Sequence, residues 1–173
     1  SLLREMKDYT DVEWVTEYVD KPSLIEVYDQ LIVLMKEARR AMPAEKPDKG
    51  FDTLQEGIVH VVRKDRHLDR ENDVKIIEIF ELCNKKMGVT LNRWTSKDDA
   101  RYYEEKIGTF FTVSIAPVLQ QWKEYCHPFI IQILKDALNQ YGNVKRRRSF
   151  VNFQDLLMLT TRLLQNNSEV RRY

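Results

Sequence analysis

Between Leu24 and Ala38, apolar residues fall at Leu24, Val27, Tyr28, Leu31, Leu34, Met35 and Ala38, each with another three or four positions away. That spacing lines one face of an α-helix and does not fit a strand, whose faces alternate at every second residue. Pro22 and the capping box Ser23-x-x-Glu26 predict where this helix starts. It runs to about Ala41, and Met42 to Gly50, with Pro43 and Pro47, reads as a loop. A helix with such a stripe must bury it against another element, and the rest of the chain offers more helices of the same kind.

Residues 1 to 19 read as helix on Leu2, Leu3, Met6, Val12, Trp14, Val15 and Tyr18. Asp52 with Gln55 opens another on Leu54, Ile58, Val61 and Val62, which ends in the charge-dense stretch Arg63 to Arg70. The next runs from about Asn72 to Met87 on Val74, Ile77, Phe80 and Cys83, with Gly88 placed as its C-terminal cap. Val89 to Trp94 reads as a short strand or an extended link. Thr95-Ser96 with Asp98 and Asp99 begins a long helical stretch, which Pro117 and Pro128 should break or kink and Gly142 should close. A final helix is capped by Asn152, with Asp155 at the positive end of its dipole. Its apolar face is Phe153, Leu156, Leu157, Met158, Leu163 and Leu164; Asn166-Asn167-Ser168 stops it and caps a short second helix at Glu169. Only 5 Gly and 5 Pro leave little material for a turn-rich β fold. The expected fold is all-α, an irregular bundle of about seven helices.

Charge is unevenly spread. From Gln140 to Tyr173 there are seven Lys/Arg and two Asp/Glu, a net +5 that leaves −4 for the rest of a chain whose total is +1. Such an asymmetry points to a polyanion-facing end. No run of 18 apolar residues exists to span a membrane. No signal peptide is visible, and the two cysteines, Cys83 and Cys126, are too few for a disulfide framework, so a cytoplasmic location is expected.

Catalytic signatures do not emerge. None of Gly50, Gly57, Gly88, Gly108 or Gly142 has a second glycine at the spacing of a phosphate-binding loop. His60 and His67 lie seven apart on one helical face, with Glu56 a turn before His60, which is not the spacing of a zinc site. No metal is expected. Cys83 sits within an apolar stripe as a core thiol. The neighbours Glu104-Glu105 and Asp98-Asp99 diverge around a helix, and capping and solvation account for them. This chain alone is expected to carry no enzyme activity.

Two clusters point toward nucleic acid. Trp94 stands among Arg93, Lys97 and Arg101, a pattern that grips phosphates and stacks bases; equally, an aromatic just before an N-cap packs on the first turn as a staple. Lys145, Arg146, Arg147 and Arg148 are contiguous, so an extended segment would lay several along a phosphate backbone, whereas a solvated basic loop would explain them without DNA.

The last 25 or so residues carry a family resemblance. Phe150-x-Asn152-Phe153-Gln154-Asp155-Leu156-Leu157, followed by Leu163-Leu164, Asn167, Glu169-Val170-Arg171 and Tyr173, resembles the segment before the Walker B strand in UvrD/Rep-type superfamily-one DNA helicases and the RecB/AddA helicase-nucleases. Phe153, Asp155, Leu156 and Leu157 match; Asn152 and Gln154 stand where that family commonly has acidic residues. The resemblance implies an accessory subdomain (residues 1–144) inserted in a helicase motor domain, and a basic segment and helix (145–173) leading back to the motor. It implies weak, sequence-independent DNA contact, for which Lys145, Arg146, Arg147 and Arg148 lie beside the resembling segment; Arg93, Trp94, Lys97 and Arg101 are the second candidate cluster, read from their own residues. Asn152, Phe153, Asp155, Leu156 and Leu157 would dock the piece on the motor. ATP and magnesium belong to the parent protein, a 3′–5′ helicase, with or without a nuclease domain. The start at Ser1 without Met fits either an excised piece or a processed chain. The alternative is a free-standing helical protein-interaction or adaptor domain whose helix near Leu156 binds a partner helix.

Overall fold

The computed structural model describes residues 17–84, 87–148, 150 and 153–172, apart from the side chains at 154 and 162. The helix expected over residues 1 to 19 lies outside this range except for 17–19, which are not helical, and the Asn152 cap lies outside it too. Among the described residues the chain is all-helical, with no sheet. The elements are α1 (Ile25–Ala41), α2 (Thr53–Asp65), α3 (Asp73–Cys83), a 3₁₀ turn (Leu91–Arg93), α4 (Lys97–Phe110), a π turn (Phe111–Ile115), α5 (Ala116–Arg147), α6 (Phe153–Asn166) and a 3₁₀ turn (Val170–Arg172). Among the described residues the bundle has about five helices; one of the seven expected falls largely outside them. The chain forms two units: Tyr18–Cys126, and a second that takes in His127 onward.

Local chemistry explains most of the helix starts. Asp52 and Gln55 form the expected capping box, each side chain accepting from the other's backbone N–H at 2.8 and 3.0 Å. Asn72 caps α3 through the Lys75 N–H, and Ser96 caps α4 through Asp98 and Asp99. The box at Ser23 does not form. Leu24 already has helical dihedrals, no side chain caps the end, and the buried Leu24 accepts the Tyr28 N–H at 3.0 Å, so packing sets the start of α1.

Three expected helix features are corrected. The buried face of α3 is Ile76, Ile79, Phe80 and Cys83, whereas Val74 is exposed and Ile77 only half-buried. The run Val74-Lys75-Ile76-Ile77-Glu78-Ile79-Phe80 holds two apolar stripes a residue or two apart, and spacing alone does not choose between them. Neither proposed glycine cap forms. Helix α3 ends at Cys83, and Gly88 instead ties its segment to the start of α2: its N–H donates to Thr53 Oγ1 at 2.7 Å and its carbonyl accepts from that hydroxyl at 3.0 Å. Gly142 lies inside α5, which continues to Arg147. Among the described glycines only Gly50 has positive φ, 81°, in a turn where its N–H reaches the Pro47 carbonyl at 2.7 Å. Val89 to Trp94 forms no strand; it is a short link followed by the 3₁₀ turn.

Nor do the prolines break the long stretch. Ahead of Pro117 the helix widens into the π turn, where the Ala116 N–H reaches back five residues to the Phe111 carbonyl. This relaxes the ladder where proline lacks an N–H and its ring crowds the carbonyl four residues earlier. Pro128 lies within α5, which runs through it.

In the Tyr18–Cys126 unit, Tyr28, Leu31, Met35, Leu54, Ile58 and Phe80 centre a continuous core to which α4, the π turn and α5 add Ile107, Ile115 and Leu119. A polar tie closes its side: the Tyr28 hydroxyl donates to Asp65 at 2.9 Å, and Lys36 pairs with the other Asp65 oxygen at 2.8 Å. Burial raises the Asp65 carboxyl, but the Lys36 ammonium and Tyr28 hydroxyl outweigh it, so the group lies below the ordinary carboxylate value. In the second unit Ile131 is the one fully buried large aliphatic side chain among the described residues.

Candidate docking surfaces

Asp52 is more than a helix cap. Its Oδ2 accepts from the Thr90 N–H at 2.9 Å and the Trp94 Nε1–H at 2.8 Å, so one carboxylate joins α2 to the 3₁₀ turn and the indole. Gln55 Nε2 donates to the Arg93 carbonyl at 3.0 Å, and Arg93 Nη1 donates to the Phe51 carbonyl at 3.0 Å. Arg93 Nε is buried without a partner. Trp94 is 6% exposed and stacks on Tyr103, with centroids 6.2 Å apart and planes 16° apart. A buried indole N–H needs an acceptor, and here the acceptor, 42 positions away in sequence, is what places the ring. The base-stacking expectation is therefore corrected: Trp94 is core, and Arg93 is turned inward with it. Lys97 and Arg101 are exposed on α4 but do not join them in an aromatic–cation platform.

The basic tetrad is not extended either. Lys145, Arg146 and Arg147 form the last turn of α5, where cations complement the helix dipole, and Arg148 follows in a turn. The Lys145 side chain is 17% exposed; its ammonium pairs with Asp155 and lies 5.4 Å from the centroid of the Tyr141 ring. Arg146 donates to Asn143 Oδ1 at 3.0 Å. Arg146, Arg147 and Arg148 are exposed, so three of the four cations reach solvent.

Helix α6 has two unlike sides. Asp155, Met158 and Leu159 line a recess of about 260 Å³ that also takes in Gly142, Lys145 and Phe150. Around the helix from them, Phe153, Leu156, Leu157, Leu163 and Leu164 recur at helical spacing and are all exposed, Phe153 to 75%. Asp155 thus stands at the dipole's positive end and also makes the ion pair with Lys145. A contiguous apolar face of this kind marks an interaction surface more often than an idle one.

The Tyr18–Cys126 unit has a surface feature that the sequence pattern did not suggest. Between α1 and the α4–π segment runs an open groove of about 870 Å³. Val33, Leu34, Phe110 and Val113 give it an apolar floor, with Val113, in the π turn, 68% exposed. Carboxylates Asp29, Glu37 and Glu105 line it against a single ammonium, Lys106. Lys106 bonds Glu37 at 3.3 Å and sits 5.2 Å from the Tyr102 centroid; Tyr102 and Glu37 together raise its pKa. The available signal was Val33, Tyr102 and Val113, three bulky residues that fall outside the core-facing set of their helices.

Among the described residues no three His, Cys, Asp or Glu gather to hold a metal. His60 and His67 are exposed, and His67 lies past the end of α2, so the two do not share a helical face. Burial pushes the Cys83 thiol up to about 12, so it is not a thiolate nucleophile. Gly57, Gly108 and Gly142 lie within helices, whereas Gly50 and Gly88 do not. No described helix is long and apolar enough to cross a membrane. No family model, curated protein or solved structure matches this chain.

Proposed function

We propose that this chain is an all-helical docking module without chemistry of its own, which seats the apolar face of α6 on a larger protein. The observation that carries the reading is that face: Phe153, Leu156, Leu157, Leu163 and Leu164 all stand exposed on a helix whose other side is held by Lys145 and Asp155. The resemblance in Phe153, Asp155, Leu156 and Leu157 nominates a UvrD/Rep-type motor as that protein, with ATP and magnesium bound by the motor. In this role Arg146, Arg147 and Arg148 supply weak, sequence-independent attraction to DNA phosphates. A free-standing adaptor that takes a partner helix is the second reading, and the groove between α1 and α4 favours it.

The reading frame that encodes the chain separates the two. The motor reading expects a phosphate-binding loop before Ser1 and a strand ending in Asp-Glu-x-Gln-Asp soon after Tyr173. A frame with neither would remove the motor and leave the adaptor. For the docking itself, Leu156→Asp with Leu157→Asp should abolish retention on the immobilised motor fragment with the helical circular dichroism unchanged; undiminished retention would exclude α6 as the contact.

A further inference from the structure

The chain carries both halves of a helix-in-groove contact. The ridge is the exposed face of α6; the channel is the groove between α1 and the α4–π segment. Their lengths agree. The ridge from Phe153 to Leu164 spans about 16 Å, and the α4–π wall from Tyr102 to Ser114 spans about 18 Å at 1.5 Å per residue. Their chemistry agrees as well. Apolar residues at Phe153, Leu156, Leu157, Leu163 and Leu164 keep to one helical face, as the anchors of groove-bound helices do, and the groove floor offers Val33, Leu34, Phe110 and Val113. Charges differ in sign: residues 145–173 carry a net +5 with Arg146, Arg147 and Arg148 exposed, while the groove is lined by Asp29, Glu37 and Glu105, of which Asp29 pairs with Arg70 at 2.7 Å and Glu37 with Lys106 at 3.3 Å. Such complementarity fixes orientation and speeds encounter.

We propose that, without its larger partner, α6 of one copy seats in the α1/α4 groove of a second copy, two copies exchanging helices to close a dimer. The inference rests on the reading of α6 as a docking helix. Closure matters: one contact in each direction makes a pair, whereas an unreturned contact would propagate into a filament. The dimer holds the apolar face out of water until a partner competes for it, so self-association and docking are mutually exclusive.

Light scattering coupled to size exclusion tests this with two variants at exposed positions, where the fold should be kept. Val113→Asp places a charge on the groove floor, and Leu156→Asp with Leu157→Asp spoils the ridge. The chain itself should be dimeric, and each variant alone should dissociate about tenfold or more readily. An equimolar mixture of the two should re-associate, because one variant keeps its ridge and the other its groove. A monomer at all concentrations overturns the inference. So does a dimer that Val113→Asp leaves intact, which would mean α6 pairing with α6. The two failures are distinguishable: if the chain stays monomeric yet the ridge variant still loses the motor fragment, the exchange is wrong and the docking reading stands. A dimer that both variants weaken, but that never binds the motor fragment, keeps the exchange and removes the motor.

Discussion

Helices α1 and α6 have the same kind of sequence and opposite surroundings. Both repeat large apolar residues at three and four positions, yet Tyr28, Leu31, Met35 and Ala38 of α1 are fully buried while Phe153, Leu156 and Leu157 of α6 stand in solvent. Periodicity states that a helix has a face to cover; it does not state where the cover comes from. In the Tyr18–Cys126 unit the cover is the chain's own, since α1, α2, α3 and α4 contribute to one core. On α6 the described residues leave that face open, and this difference is what the docking proposal rests on.

Truncation should separate the two helices most sharply. Phe80→Ala and Leu31→Ala, at side chains with no exposure, should each cost about 3–5 kcal/mol in urea or thermal unfolding. Leu157→Ala should change stability by no more than about 0.5 kcal/mol, as at an ordinary surface position. A large loss at Leu157 would mean that its face is covered after all, and the contrast would collapse.

Asp52→Ala comes next, at about 3 kcal/mol or more. It removes a cap worth ~1 kcal/mol and strands the N–H groups of Trp94 and Thr90, each costing about 1–3 kcal/mol if left unpaired. A red-shifted Trp emission together with a lowered melting temperature would confirm that the indole depends on this carboxylate. An unchanged melt would return Trp94 to the surface.

The alkaline limb gives a smaller effect confined to the Tyr18–Cys126 unit. Cys83 is raised from 9.0 to about 12 by burial, and Tyr28 is raised by burial and then by its bond to Asp65. A raised value means that the stabilisation is whole below the unfolded pKa and is lost as pH climbs through the folded one. Stability should therefore decline above pH 9 toward 12, and Cys83→Ala should flatten the onset of that decline. A pH-independent melt across this window would show that the thiol is not sealed. The least of the effects belongs to the basic turn. With Lys145 committed to Asp155, three cations remain, so the log–log salt slope of duplex DNA binding should be no steeper than about −2.7. Changing Arg146, Arg147 and Arg148 together to Glu should abolish that binding without touching the melt.

What the sequence showed best was chemistry that closes over three residues, although the Ser23 box, of the same span, does not form. The Asp52–Gln55 box, the Asn72 cap and the Ser96 cap each need only a side chain and the backbone beside it, and each is present. What it hid was decided at long range. Nothing near Trp94 shows that Asp52 waits 42 positions upstream to take its N–H. Nothing at Lys145 shows that a carboxylate ten residues on will neutralise it. Gly88 and Gly142 were plausible helix ends by type, but one serves Thr53 and the other lies mid-helix, because a glycine permits a stop without requiring one. The groove was hidden for a related reason: it belongs to two elements 70 or so residues apart, and neither wall shows it alone.

The π turn has a consequence for how this chain tolerates change in length. Ala100, Ile107, Ile115 and Leu119 are all buried, at intervals of seven, eight and four residues. At about 100° per residue, seven steps return nearly to the starting direction, but eight overshoot by about 80°. The wide turn absorbs one residue's worth of rotation, so the interval of eight behaves as seven. The surplus residue can therefore be given back. Deleting the exposed Thr112 would leave an unbroken α-helix in which Ile115 and Leu119 still face the core, although Pro117 would lose the slack ahead of it. The same deletion inside α4, between Ala100 and Ile107, swings everything beyond it by a quarter turn or more. The turn thus works as an odometer that has already been advanced by one: the segment can lose a residue there and keep its heading, but has no such allowance elsewhere.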